Sequence, residues 1–112
     1  MRATIFRGAE RPGLDLYWLD SVNQPVDFTI SGTWTYAVTV TQNGVTTAFS
    51  GASVVANANP TADNKSSTDV PTLSMSFTAG STAGLSVGPA VIHVVATSGG
   101  LNRDAEWMVE VR

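Results

Sequence analysis

Residues 33–49 carry the sequence TWTYAVTVTQNGVTTAF, and this stretch decides the fold class. Its first nine residues alternate larger apolar side chains with Thr or Ala, the period of two that a half-buried β-strand shows. The larger side chains are Trp34, Tyr36, Val38 and Val40. The Asn43-Gly44 step that follows suits a tight hairpin, because both residues tolerate positive φ. The stretch therefore predicts two antiparallel strands joined by a short turn.

Strand patterns continue along the rest of the chain. No window of a dozen residues keeps apolar positions at helical spacing, and β-branched residues are frequent. Further strands are predicted over residues 3–7, 14–20, 73–78, 90–97 and 104–111. With the hairpin they make about seven short strands separated by turn residues. We therefore predict one all-β domain over residues 1–112, an antiparallel β-sandwich.

Two segments depart from the strand pattern. Residues 51–70 lose almost all apolar content after Val55, so we expect one long polar loop or arm there. This segment is either mobile or ordered on a neighbouring chain. The corner Gly80–Leu85 predicts a single helical turn that is capped by Ser81.

Charged residues are scarce in this sequence. They make up 13% of the 112 residues, about half the share usual in soluble proteins, whereas 14 Thr and 11 Ser supply much of the polar surface. A domain that stays dispersed by itself generally carries more charge. We therefore expect a partner to cover part of the surface.

The charge pattern and the absence of cysteine exclude several classes of function. The net charge is -3 and the six Lys and Arg residues are scattered, which argues against nucleic-acid binding. No apolar stretch approaches the roughly 18 residues of a membrane-spanning helix, so no membrane partner is expected. Without Cys the chain has no disulfide, thiolate zinc site or cysteine nucleophile.

The strand predicted over residues 90–97 is apolar on both faces. Ile92, Val94 and Ala96 share one face, while Val91 and Val95 flank His93 on the other. In an isolated sandwich one face of such a strand is expected to be polar and wet. Either an adjoining segment or a partner protein covers the second face, and we favour the partner.

The order of these elements resembles a known phage family. The matching steps are Ile5-Phe6-Arg7-Gly8, Pro25-Val26-Asp27-Phe28-Thr29, the strand 32–41, Thr82-Ala83-Gly84-Leu85, Gly88-Pro89 and residues 91–111. Together they resemble the immunoglobulin-like domain at the N-terminus of baseplate upper proteins and of related small virion proteins of tailed actinobacteriophages. The resemblance implies an immunoglobulin-like sandwich that acts as a structural adaptor without catalytic residues. This chain departs from the family at Asn23-Gln24 and in its longer, more polar segment 51–70.

The candidates for catalytic and metal sites are weak. His93 is the only histidine and has no Ser, Asp or Cys pattern beside it, so we expect a surface or interface residue. Oxygen donors in the long loop lack calcium-loop spacing, and acids at strand ends lack the cleft that would pair them for glycoside hydrolysis. The donors are Asp63, Asn64 and Asp69, and the acids are Glu10, Asp15, Asp20 and Asp27. We therefore predict no enzyme activity, no metal and no cofactor.

Aromatic side chains offer a second kind of binding site. Trp18, Trp34 and Trp107 fall on predicted inward faces, so core packing is favoured over a sugar-stacking platform. Tyr17 is expected to be more exposed and is the candidate for glycan contact.

These observations predict a non-enzymatic virion protein, assembled in the host cytoplasm, that serves as a capsid decoration or minor structural subunit. It would bind neighbouring virion proteins as a homo-oligomer or on a lattice, where repetition supplies avidity. The alternatives are a tail or baseplate adaptor and a module that binds host-surface carbohydrate. Because the chain has its own Met1 and one domain, we expect a separately added subunit. The expected partner-binding residues are Arg2, Thr4, Phe6, Asn57, Asn59, Asp63, Lys65, Asp69, Val91, His93 and Val95.

Overall fold

Two β-sheets pack face to face, which confirms the predicted all-β sandwich. The computed structural model describes residues 3–11, 13–30, 32–62 and 68–112. The elements in these ranges, in chain order, are β1 (Ala3–Ile5), β2 (Leu14–Leu16), β3 (Thr35–Gln42), β4 (Val45–Ala48), β5 (Ala52–Ala56), β6 (Leu73–Phe77), α1 (Ala79–Ala83), β7 (Gly88–Ser98) and β8 (Leu101–Val111).

The strands divide unequally between the sheets. The larger sheet has the order β1-β8-β7-β3-β4, and the smaller one has the order β2-β6-β5. All pairs are antiparallel except β1 and β8, which run parallel with Ala3 opposite Val109 and Ile5 opposite Val111. This pair corrects the expectation of a wholly antiparallel sandwich. Side-chain alternation identifies a strand but carries no information about the direction of its neighbour.

The hairpin predicted from residues 33–49 is confirmed. β3 and β4 pair antiparallel, and Gln42 lies opposite Val45 at the last pair before the turn. The two turn residues both have positive φ, 53° at Asn43 and 76° at Gly44. This conformation matches the right-handed twist of the two strands, which is why Asn-Gly closes the hairpin so directly.

The core lies between the sheets and follows from alternation along the strands. In β7 every second side chain from Ala90 to Ala96 is buried, and the intervening side chains face outward. Leu16, Leu73 and Met75 of the smaller sheet complete the opposite side of the core.

The three tryptophans pack against this core, as predicted. Trp18 makes edge-to-face contacts with Phe28, with ring centroids 5.0 Å apart, and with Trp107 at 5.6 Å. Phe28 also contacts Trp34 edge to face at 5.0 Å. The aromatic cluster therefore serves packing and does not form an exposed platform.

Part of the predicted loop over residues 51–70 is a strand. Residues 52–56 form β5, which pairs with β6, so the connection begins only after Ala56. The alternation in the sequence is weak because Ala52 and Ala56 on the core side are small, while the apolar Val55 faces outward. The sandwich therefore has eight strands in its described part, where about seven were expected.

Other boundaries also differ from the predictions. β2 ends at Leu16 and not near Asp20, whose carboxylate instead accepts from the backbone N–H groups of Val22 and Gln24, both at 2.9 Å. The cap of α1 is Thr78, whose side chain accepts from the N–H of Ser81. Ser81 is therefore not the cap, because the helix begins two residues before it.

Candidate interaction surface

The outward side of the larger sheet, which we call the outer face, collects the apolar side chains of β7 that do not enter the core. Val91, His93 and Val95 all lie on it and are half-buried by their neighbours in the sheet. The residues that flank them on β3, β4 and β8 include Ala37, Ala48, Asp104, Glu106 and Met108, all exposed.

This exposure bears on one of the two coverings expected for the second face of β7, an adjoining segment of the chain itself. Met108, which lies opposite Val91, keeps 58% of its surface accessible. Ala37, opposite Val95, is also exposed. No segment among residues 3–11, 13–30, 32–62 and 68–112 therefore folds over the outer face, and its apolar centre is open.

Charge is distributed unevenly across the outer face. The β8 side carries Asp104 and Glu106, and the His93 Nε2 atom lies 3.1 Å from the Asp104 Oδ2 atom. The β3 side carries hydroxyl groups, with Thr39 opposite His93 and Thr41 opposite Val91. The face thus changes from acidic to neutral across its apolar centre.

A second feature of the surface is a long run without charged residues that forms one edge of each sheet. No Asp, Glu, Lys, Arg or His occurs in the 35 residues from Phe28 to Ala62. This run contains β3, β4 and β5, and therefore one edge strand of each sheet. The run could have been read from the sequence, but the sequence does not show that it builds an edge of both sheets.

A shallow groove lies between these two edge strands. Its volume is about 470 Å³, and Tyr36, Ala48, Phe49, Ala52 and Val54 contribute to its lining. A tyrosine phenol is neutral at physiological pH, and burial raises the pKa of the Tyr36 phenol further, so the groove adds no charge to this edge. We call β4, β5 and this groove the uncharged edge.

The predicted arm is anchored at its ends. The Asn57 side-chain amide donates to the Pro71 carbonyl at 3.0 Å and to the Ser74 Oγ atom at 2.9 Å. Further along, the Thr61 N–H donates to the Val70 carbonyl at 2.8 Å. Asn57 is therefore part of the framework that holds the β5–β6 connection.

Asp27 lies in the segment 25–29, and its carboxylate also holds the β5–β6 connection in place. Its carboxylate accepts from the backbone N–H and the hydroxyl of Thr29 and from the N–H of Asn59, the last at 3.0 Å. These hydrogen bonds, the Thr29 hydroxyl first, lower the pKa of Asp27 below its ordinary value. Asn59 is thus tied down through its backbone.

The remaining predicted site residues do not gather at one place. Thr4 lies at the β1 edge of the outer face, opposite Glu110, and Phe6 just beyond β1 is 44% exposed. Asp69 is half-buried in the β5–β6 connection, on the smaller sheet. Arg2, Asp63 and Lys65 lie outside the described residues, as does Asn64. The structure therefore brings Thr4, Val91, His93 and Val95 to one face and separates them from the predicted arm.

The candidate glycan residue is less exposed than expected. Tyr17 is half-buried, and its carbonyl oxygen lies 3.4 Å from the Trp107 Nε1 atom that donates to it. Its backbone thus helps to hold a core tryptophan in place.

The four acids considered for catalysis are dispersed. Asp20 and Asp27 hold turns, and Asp15 lies on the outward side of β2. Glu10 lines a second open depression of about 720 Å³ with Arg11 and Ser76, and it is the one carboxylate among the lining residues. Within the described part of the chain no group of three or more His, Asp or Glu could hold a metal ion.

Comparisons with other proteins add no family assignment. The chain matches no family model, no curated protein and no solved structure. In the described ranges no helix is long and apolar enough to cross a membrane. The surface of the domain is therefore what bears on function.

Proposed function

We propose that this protein is a non-enzymatic structural subunit of a phage virion that binds neighbouring virion proteins through its outer face. The single observation that carries the proposal is the open apolar centre of that face, around Val91, Val95 and the exposed Met108. Contiguous exposed apolar surface on a small domain is typical of protein–protein contact.

Composition supports a contact of this kind. Charged residues are depleted at the centre of protein interfaces, and this chain is poor in them overall. Hydroxyl groups such as those of Thr39 and Thr41 border the apolar centre and can hydrogen-bond to a neighbour. A symmetric lattice would multiply a modest contact by each copy, so strong affinity per copy is not required.

We favour a capsid decoration or minor structural subunit, and the same face would also serve a tail or baseplate adaptor. The resemblance to the phage family supports a virion but does not separate these positions. Imaging of a particle that contains the chain would separate them directly.

A binding experiment with particles that lack this chain tests the proposal. Val95→Lys places a charge in the apolar centre, while Val22→Lys places the same charge in a turn where the side chain is already 69% exposed. Burying one valine contributes about 1.5 kcal/mol or more, so Val95→Lys should weaken co-sedimentation with particles roughly tenfold. Val22→Lys should bind like the wild type.

Two results would contradict the proposal. One is equal retention of the Val95→Lys and Val22→Lys variants on particles, which would mean that the outer face makes no contact. The other is specific sugar binding on a glycan array that Tyr17→Ala abolishes, which would favour the carbohydrate-binding alternative over a purely structural subunit.

A further inference from the structure

β4 is an edge strand, and along its outer side the backbone hydrogen-bonding groups meet no partner among the described residues. The Phe49 N–H donates to the Val38 carbonyl at 2.9 Å, which continues the β3–β4 ladder beyond Ala48. Bonded pairs alternate along an antiparallel ladder, so Val45 and Thr47 bond to β3. The N–H and C=O groups of Thr46 and Ala48 therefore point away from the sheet.

This edge lacks the charged residues, Pro and bulges that normally keep edge strands from pairing. Proteins protect such edges with charged residues, Pro, bulges or very short strands. β4 consists of Val45-Thr46-Thr47-Ala48, all exposed and all uncharged. The edges on the other side of the sandwich differ, because β1 and β2 have only three residues each and β2 carries Asp15.

We propose that β4 pairs antiparallel with β4 of a second copy across a two-fold axis. In the register that uses all the free groups, Thr46 lies opposite Ala48 of the second copy and Thr47 lies opposite its own equivalent. Each of the two Thr46–Ala48 pairs between the copies then exchanges two hydrogen bonds. The two five-stranded sheets become one continuous sheet.

Charge favours a second copy as the occupant of this edge. Each copy carries a formal net charge of -3, so two copies repel each other wherever charged surface meets. The run from Phe28 to Ala62 is where they approach without placing one charge against another. A strongly charged partner would find no complementary group on β4, whereas a two-fold pairing matches the strand with itself.

The inference goes beyond the proposed function, because pairing in solution can hold or fail whichever particle the chain belongs to. The first test is sedimentation of the full chain over a range of concentrations. We expect a reversible species of twice the 11.7 kDa mass. A chain that stays monomeric up to about 1 mM, where even a weak complex would form, overturns the proposal.

Thr46→Pro tests which edge is used. It removes an N–H that points outward, so the β3–β4 ladder stays intact and unfolding temperature should change little. Because the Thr46 N–H groups of the two copies donate two of the four intermolecular hydrogen bonds, dimerisation should weaken at least about tenfold. The matched control is Val54→Pro, which removes an outward N–H from β5. Equal weakening by both variants, or by neither, contradicts pairing through β4.

Substitutions at Thr47 test the two-fold register without relying on Pro. Thr47→Lys and Thr47→Glu each place like charges opposite one another across the axis, so each variant alone should be monomeric. A mixture of the two should form a mixed dimer, since opposite charges then face each other. If the mixture failed to associate, this register would be overturned. If the wild-type chain bound another protein through β4 but did not bind a second copy of itself, the proposed dimer would be overturned.

Discussion

Replacing Thr72 with Val tests how much one buried hydroxyl contributes to holding Trp18, just after β2, against the smaller sheet. Thr72 has no exposed surface, and its Oγ1 atom accepts from the Trp18 N–H at 3.0 Å. The same oxygen lies 3.4 Å from the Trp18 carbonyl, which also accepts from the Val26 N–H at 2.9 Å. Valine would fill the same space but could not accept the Trp18 hydrogen bond.

The magnitude follows from which group is left without a partner. The Trp18 carbonyl keeps Val26, so the loss falls on the Trp18 N–H, and an unsatisfied buried donor costs about 2 kcal/mol. Thr72→Ser keeps the hydroxyl and removes one methyl group, which costs about 1 kcal/mol. For a domain of this size 1 kcal/mol corresponds to about 4 °C, so we expect Tm to fall by about 8 °C for Val and about 4 °C for Ser.

Scanning calorimetry on the wild type and both variants measures these shifts in Tm. Urea unfolding should independently rank the wild type as most stable, Thr72→Ser next and Thr72→Val least stable. The opposite order would refute the reasoning. If Thr72→Val were as stable as Thr72→Ser or more so, the buried methyl would outweigh the hydrogen bond, and Thr72 would be no more than a space-filling residue.

Three further predictions concern the loops and one close backbone contact. Asn57→Ala should lower stability by about 2 kcal/mol in urea unfolding, because the substitution removes two side-chain hydrogen bonds; Asn59→Ala, which keeps the backbone bond to Asp27, should change it little. The pKa of Asp27 is lowered in the folded state, so its contribution is present above the unfolded value near 3.8 and lost as pH falls through the folded pKa. Asp27→Asn should therefore flatten the acid side of a stability–pH curve, and an unchanged slope would contradict this. Gly13→Ala would place a Cβ atom against the Met75 carbonyl oxygen and should cost about 1–3 kcal/mol, seen as a lower Tm.

Alternation in the sequence predicted most of the strands well. β3 of the hairpin and the buried face of β7 appear as expected, because apolar side chains occupy every second position along both strands. Alternation does not predict β5, because its Ala, Ser and outward Val residues give a weak pattern. The sequence offers several hydroxyl residues near Ser81, the predicted helix cap, and only the backbone angles of Thr78 show that Thr78 is the cap.

The candidate surface was partly predictable for the same reason. The two-sided apolar character of β7 can be read from residues 90–97, and it correctly placed Val91 and Val95 on the outward side. The sequence did not show that Asn57 belongs to a hydrogen-bonded framework, since a polar residue in a long connection looks the same whether it faces water or another loop.

By itself, the sequence determined the class of fold, the hairpin turn and the scarcity of charge, because these depend on residue type and local spacing. The tertiary structure decided which strands became neighbours. It set β1 parallel to β8, left the outer face of β7 open in the described part of the chain, and brought the charge-free run to an edge of each sheet. Strand pairing joins residues far apart in the chain, and the hydrogen bonds that form it use backbone groups that every residue shares. Local patterns therefore specify strands, whereas packing of the whole domain selects their partners.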